Sequence, residues 1–366
     1  MAKIFFTGFP GFLGSELVPR ILLRSPGDEA VCLVQPKFVP LAQQRVREIE
    51  AREPLCAGRL HLVEGDITRP GLGLRLTREA AAALQSETVE VYHLAAVYDL
   101  SVSRSVGMKV NVEGTRHMLD FAQGCAGLRR FQYVSTCYVS GRYAGIFRET
   151  DLSKGQKFNN FYEETKYLAE VEVQERMKQG LPATIYRPAI VVGDSRTGDT
   201  QKYDGPYFAI RWLLRQPGIA VMPVVGDSTR CRLNLVPRDF VIGAITYLSG
   251  EEKAIGKVYQ LADPDPLTID EVLTAIARAT GRLMIRVPLP VGLAKAAIDW
   301  VPGVYRLMKI PSSTIDYFVH PTFYDSSNTL ADLTGTDLQA PPLRSYLPTL
   351  VSFMRVHPEL SSEAMA

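Results

Sequence analysis

Ile4-Phe5-Phe6-Thr7-Gly8-Phe9-Pro10-Gly11-Phe12-Leu13-Gly14 decides how the rest of the chain is read. A short apolar run ends at Thr7, three glycines follow, and a helix-forming stretch begins behind them. The glycines permit a tight turn, close approach of backbone to a pyrophosphate, and close packing of helix on strand. The free N–H groups and positive dipole end at the start of that helix then face the anion. Thr7, Gly8, Pro10, Gly11, Phe12, Leu13 and Gly14 are therefore the expected seat of a dinucleotide's phosphates. Outside this strand–turn–helix setting the same glycines would mark only a plain connection.

Working outward, strand-like apolar runs fall at residues 4–7, 30–34, 60–64, 89–94, 131–135 and 183–187. Helix-like stretches separate them at 12–24, 41–52, 77–85, 108–123 and 161–178. This alternation predicts an α/β protein with a Rossmann-like, doubly wound parallel sheet. In the helix over 161–178, Tyr167, Leu168, Val171, Glu175 and Met177 mark the expected inner stripe, and Gly180-Leu181-Pro182 ends it. Beyond Val192 a polar, turn-rich loop runs from 193 to 205, the kind that borders a site. A return helix over 236–248 and a late strand over 257–261 follow, and Thr268 with Glu271 opens a capped helix to about residue 280. From about Arg282 the chain reads as irregular and helical. The expected division is a dinucleotide-binding domain over 1–192, completed by 233–262, with 193–232 and 263–366 forming a smaller, mostly helical substrate-binding lobe.

Composition narrows the classes. A net charge of +2 on 366 residues is too mild for a nucleic-acid partner. The five cysteines, Cys32, Cys56, Cys125, Cys137 and Cys231, are odd in number and lack CxxC spacing, which argues against a disulfide framework and a metal site. Cys125 and Cys137 read as small core side chains. The N-terminus leads straight into a functional strand and carries no secretory pattern, and no apolar run approaches the roughly 18 residues of a spanning helix. A reducing, cytoplasmic setting is expected, with peripheral membrane contact and a homodimer left open.

The second strand ends Leu33-Val34-Gln35-Pro36-Lys37, without the acid that would hold the ribose 2′-hydroxyl of NAD. A carboxylate there would repel a 2′-phosphate, whereas Lys37 can neutralise it, so NADP(H) is favoured over NAD(H); a solvated loop lysine is the plainer alternative. Asp66, followed by Ile67, stands where a carboxylate accepts a bond from the adenine amino group or caps the next turn. His93-Leu94-Ala95-Ala96 closes the fourth strand with small residues near the cofactor, and His93 itself reads as structural.

Tyr162 and Lys166 lie one helical turn apart on one face. A tyrosine with a pKa of about 10 is a poor acid–base at neutral pH; a nearby ammonium and a positively charged nicotinamide lower it. A hydroxyl from Ser135 or Thr136 is placed to polarise a substrate carbonyl, and Asn111 to hold a water that relays protons to Lys166.

These motifs resemble those of the extended short-chain dehydrogenase/reductase superfamily. Within it, Tyr133-Val134-Ser135-Thr136-Cys137-Tyr138-Val139 and the stretch from Arg187-Pro188-Ala189-Ile190 to Ser195 are similar to fatty acyl-CoA reductases, male-sterility proteins and the thioester reductase domains of carboxylic acid reductases. The resemblance spans the first two thirds of the chain. It implies that Thr136 is the active hydroxyl, with Ser135 as support, and that Tyr162 is the proton donor. It also implies that Lys166 holds the nicotinamide ribose, and that Pro188 and Ile190, within a cofactor-facing segment beginning at Arg187, meet the nicotinamide amide through their backbone. Gln35 departs from the arginine that many NADPH-dependent relatives carry.

The activity implied is reduction of a CoA- or carrier-bound acyl thioester to an aldehyde, and onward to an alcohol, with Arg230 and Arg232 facing substrate phosphates or solvent. A ketone or alcohol oxidoreductase on a lipid, sterol or phenolic substrate uses the same residues. A nucleotide-sugar epimerase or dehydratase shares the scaffold, and a non-catalytic NADP-binding protein would not need the intact hydroxyl, tyrosine and lysine set. The apolar segment 288–319 reads either as a face packed on the small lobe or as a greasy lid and interfacial helix.

Overall fold

The computed structural model describes residues 1–290, 292, 317 and 320–360. Seven parallel strands form the central sheet: β1 (Lys3–Thr7), β2 (Glu29–Val34), β3 (Leu60–Glu64), β4 (Thr88–His93), β5 (Arg130–Val134), β7 (Ala183–Pro188) and β11 (Val258–Leu261), with β6 (Gly145–Phe147) outside it. Their spatial order is β3-β2-β1-β4-β5-β7-β11, so the strand order reverses between β1 and β4. In open α/β sheets that reversal opens a crevice at the carboxyl ends of the strands, where ligands bind.

The sheet is covered on both faces, which is why its strands are continuous apolar runs rather than alternating ones. In β1, Ile4 packs with α1 (Gly14–Arg24), α2 (Val39–Arg52) and α8 (Arg238–Leu248). Its neighbour Phe5 packs with α3 (Arg78–Glu87), α5 (Gly114–Gln123) and α6 (Phe161–Lys178) on the other face. A third core gathers α7 (Tyr207–Leu214), β9 (Ile219–Val225), α9 (Ile269–Thr280) and the helix Leu343–Val356. The expected capping box is present, with Thr268 and Glu271 bonded reciprocally at the start of α9.

Several elements differ from expectation. The helix expected over 108–123 is two pieces, a π-helical turn Met108–Glu113 and α5, and a short helix α4 (Arg104–Gly107) precedes them. The stretch from Arg282 opens as a strand, β12 (Leu283–Leu289), paired in parallel with β9. Both carry a proline, Pro223 and Pro288; a two-stranded ribbon has only edges, where the missing N–H is tolerated. Short pairs β8 (Ile190–Val192) with β10 (Leu235–Pro237), and β6 with β13 (Thr322–Tyr324), are three residues per strand and depend on distant partners. The expected lid over 288–319 lies outside the described residues except for residues 288–290, 292 and 317.

Cys32, Cys56, Cys125 and Cys137 are buried and Cys231 is half-buried, all five as free thiols. Among the described residues no helix is long and apolar enough to cross a membrane.

Candidate active site

The glycine turn is closed against the end of β4. Gly8 has φ +87°, and a Cβ there would lie 2.8 Å from Leu94 Cβ and 2.9 Å from the Ala95 nitrogen. A Cβ on Gly11 or Gly14 would lie 2.8 Å or 2.5 Å from the Gly8 carbonyl oxygen. Only glycines allow this approach, and the Gly11 N–H spans the turn to the Gly8 carbonyl at 2.9 Å.

Thr7 ties the turn to its neighbours. Its hydroxyl accepts from the Ala95 N–H at 3.2 Å and meets His93 Nδ1 at 2.8 Å, while His93 Nε2 meets Thr115 Oγ1 at 3.0 Å. Thr115 gives its proton to the Asn111 carbonyl at 2.6 Å, so His93 donates from Nε2 and accepts from Thr7 at Nδ1. Burial, reinforced by Lys166, pulls His93 down to about 3. His93 is thus a neutral cross-tie between β1, β4 and the helix behind. Asn111, in the π-helical turn, accepts from the Val97 N–H at 2.9 Å and donates to Thr165 at 3.0 Å. Its side chain holds the loop that continues from Leu94, Ala95 and Ala96 rather than reaching Lys166. A π-turn at such a position is a frequent mark of a functional site.

At the far end of the crevice, burial works against the Asp66 carboxylate, but bonds from Thr68 and Gln35 hold it below its usual range. Its Oδ1 accepts from the Thr68 N–H at 2.9 Å, so it caps its own turn. Ile67 is buried against Gly114. Lys37 is exposed, with its ammonium 4.8 Å from the Phe38 ring centre.

The candidate chemical centre is where β5, β7 and α6 meet. Asn160 caps α6 by accepting from the Glu163 N–H at 3.0 Å, which fixes the first turn carrying Tyr162. The Tyr162 ring is buried edge-on against Tyr98, centroids 5.1 Å apart. Its hydroxyl bonds the Thr136 side chain; burial pushes the phenol up and this bond only partly opposes it. Thr136 Oγ1 also accepts from the Tyr138 N–H at 3.3 Å and lies 3.5 Å from the Pro188 carbonyl. The Ile190 N–H is taken by the Asn234 carbonyl at 3.2 Å.

Lys166 departs from expectation. Its ammonium donates to the Tyr133 hydroxyl at 3.0 Å and the Val134 carbonyl at 2.9 Å, and is not among the groups that lower Tyr162. Tyr162 is therefore a neutral phenol in this structure, the form a proton donor requires. Burial, opposed by Glu170, brings Lys166 from 10.5 down to about 7. The unfolded chain keeps this proton to about pH 10, whereas the folded chain releases it near 7; stability through this group therefore rises with pH across that window, and the burial penalty is complete below it. Lys166→Met is expected to flatten the pH dependence of unfolding between about pH 7 and about pH 10, read as urea midpoints. An unchanged slope would mean that Lys166 does not titrate there.

Two sequence-derived residues have other work. Ser135 donates to Glu170 at 2.6 Å, leaving Thr136 as the hydroxyl beside Tyr162. The Arg187 side chain is fully buried, bonded to Glu170 at 2.5 Å and to the Asp151 carbonyl at 2.8 Å, so its guanidinium braces the site from behind and cannot reach a cofactor. Glu170 is the residue that sequence reasoning missed; the available signal was a second charge one turn beyond Lys166 on the same face. The buried residues of α6 are Tyr162, Glu163, Thr165, Lys166, Ala169, Glu170 and Val173, whereas Tyr167, Leu168, Val171 and Met177 are only half-buried and Glu175 is exposed. Arg230 is highly exposed beside Asp227, and Arg232 bonds Asp265 at 3.0 Å.

The profile of the male sterility protein family matches residues 6–245. The solved terminal R domain from the myxalamid PKS-NRPS biosynthetic pathway is 29% identical, with TM-score 0.82 over 100% of this chain and 93% of that one. A thiolation-reductase di-domain from an archaeal non-ribosomal peptide synthetase shares the fold at 19% identity and TM-score 0.74, over 98% of this chain and 76% of that one. A linear gramicidin synthase of Brevibacillus parabrevis is 28% identical over 74% of this chain and 5% of its own length. The chain spans 5% to 28% of the length of three curated synthetase relatives that it matches.

Proposed function

The chain belongs to the male sterility protein family of extended short-chain dehydrogenases/reductases, and on that premise we propose that it is an NADPH-dependent reductase of an acyl thioester held on a carrier protein or on CoA. The observation that carries this reading is the Thr136–Tyr162 hydroxyl pair, with a neutral phenol, beside the crevice at the β1/β4 reversal. The glycine turn fits a pyrophosphate: glycines at 8, 11 and 14 let the chain fold tightly on the Gly8 carbonyl and the end of β4, directly ahead of the first turn of α1. The relationship to a terminal R domain supports a thioester over a ketone, and the thiolation domain joined to a reductase in the archaeal structure supports a carrier.

When bound, a reduced nicotinamide dinucleotide supplies the hydride. Thr136 and Tyr162 hold the carbonyl oxygen as negative charge develops on it, and Tyr162 gives up its proton there. The hemithioacetal then breaks its C–S bond, leaving aldehyde and free thiol. Lys166, now bonded to Tyr133 and the Val134 carbonyl, would hold the nicotinamide ribose. The third core, with α7, β9, α9 and the helix Leu343–Val356, is the candidate substrate lobe, whereas the helix Ser327–Leu333 packs on β11 of the main sheet.

The test is purified protein with NADPH and an acyl-pantetheine, following dinucleotide oxidation and thiol release together. One oxidation per thiol marks the aldehyde and two mark the alcohol. Oxidation without thiol would replace this reading with a ketone reductase, and turnover without net oxidation with an epimerase or dehydratase. Coenzyme choice is tested separately: Lys37→Glu is expected to weaken NADPH on the order of ten-fold while leaving NADH nearly unchanged. Equal effects on both would remove Lys37 from 2′-phosphate recognition.

A further inference from the structure

Arg238, the first residue of α8, is a nearly buried cation that the reading above does not use: its side chain is 7% exposed. Its guanidinium lies 5.1 Å from the ring centre of Phe12, at the tip of the glycine turn. It donates to Asp199 Oδ2 at 2.8 Å, a carboxylate that is itself 52% exposed on the loop bordering the site. The Arg238 N–H reaches back to the Gly193 carbonyl at 3.4 Å, where that loop begins.

The turn beside it is poor in charge. Residues 7–14 contain no lysine or arginine, and the first turn of α1 carries an acid, Glu16. A pyrophosphate brings two negative charges, and partial charges at one helix end offset them only in part. α1 follows β1 and α8 leads into β11, parallel strands of one sheet, so both helices begin at the carboxyl ends of the strands, where Arg238 meets Phe12. That places the Arg238 guanidinium against the phosphate seat. A guanidinium offers five donors in a planar fork suited to phosphate oxygens, and its bond to Asp199 uses one.

We propose that Arg238 binds the pyrophosphate of the dinucleotide and that Asp199 competes with the phosphates for it. This rests on the dinucleotide-binding reading above. Cofactor binding then draws Arg238 from Asp199 and loosens the 194–199 turn, which Asp194 otherwise closes by accepting from the Arg196 and Thr197 N–H groups. The loop on the substrate side thereby registers whether cofactor is present.

The competition makes two variants that break the same ion pair act in opposite directions. Dissociation constants of NADPH and NADH are measured by nicotinamide fluorescence for wild type, Arg238→Gln and Asp199→Asn. Arg238→Gln is expected to weaken both coenzymes by a similar factor of about ten or more, since both carry the pyrophosphate. Asp199→Asn is expected to tighten both several-fold. If both variants weaken binding alike, the pair is a structural brace and the proposal fails; it fails equally if Arg238→Gln leaves affinity unchanged. A loss confined to NADPH would assign Arg238 to the 2′-phosphate and overturn the pyrophosphate assignment. A wild-type protein that binds neither coenzyme would instead overturn the functional reading beneath it.

Discussion

Tyr162→Phe is expected to lower kcat by about 10²- to 10⁴-fold, the range set by removal of a positioned general acid. Dinucleotide affinity should hardly move, because phenylalanine keeps the ring that packs edge-on against Tyr98 and removes only the hydroxyl bonded to Thr136. Thr136 retains its bond from the Tyr138 N–H, so the 3₁₀ turn Cys137–Ser140 keeps its cap. Single-turnover rates with saturating NADPH read the chemical step alone. Thr136→Val should fall in the same direction by a smaller factor, since it removes one of two oxyanion contacts and leaves the proton donor. A Tyr162→Phe enzyme with undiminished single-turnover rate would place the proton donor elsewhere.

Glu170→Ala is expected to cost about 3–5 kcal/mol of stability, the usual consequence of stripping one partner from a buried ion pair. Glu170 takes bonds from Arg187, Ser135 and Gln174 and so pins the ends of β5 and β7 to the middle of α6. Without it the Arg187 guanidinium stays buried with no carboxylate, meeting the carbonyls of Arg148 and Asp151 and the Phe147 ring. Replacing the pair by Glu170→Met with Arg187→Met should recover much of the loss, because no uncompensated charge then remains. Urea denaturation of the single and the double variant measures both effects. A single variant within about 0.5 kcal/mol of wild type, the range of ordinary surface substitutions, would contradict a stabilising brace.

Glu170 also marks where sequence reading stops. The bounds of α6, Phe161–Lys178, follow from its flanking turn residues, but its inner face does not follow from apolar spacing. Periodicity assumes that apolar residues face inward, whereas this helix turns Tyr162, Thr165, Lys166 and Glu170 inward because the site needs polar groups in a dry place. The glycine turn is legible for the opposite reason: each glycine answers a steric demand met by adjacent chain, as at Gly14 over the Gly8 carbonyl. The strands of the main sheet are legible because burial on both faces makes them uniformly apolar. Strands β9 and β12 are not, since Pro223 and Pro288 lie within them and their pairing joins segments about sixty residues apart. Arg187 and Ser135 could be assigned to the right neighbourhood from sequence, but their shared carboxylate lies 17 and 35 residues away.

The state of the sulfur atoms bears on how this enzyme can be assayed. Burial raises all five cysteines above the ordinary thiol range, Cys125 to about 12. Only the thiolate attacks a disulfide reagent, so the folded protein should stay nearly colourless with such a dye, and thiol set free from an acyl-pantetheine should be read against a quiet background. Colour that climbs before substrate is added would report chains coming undone.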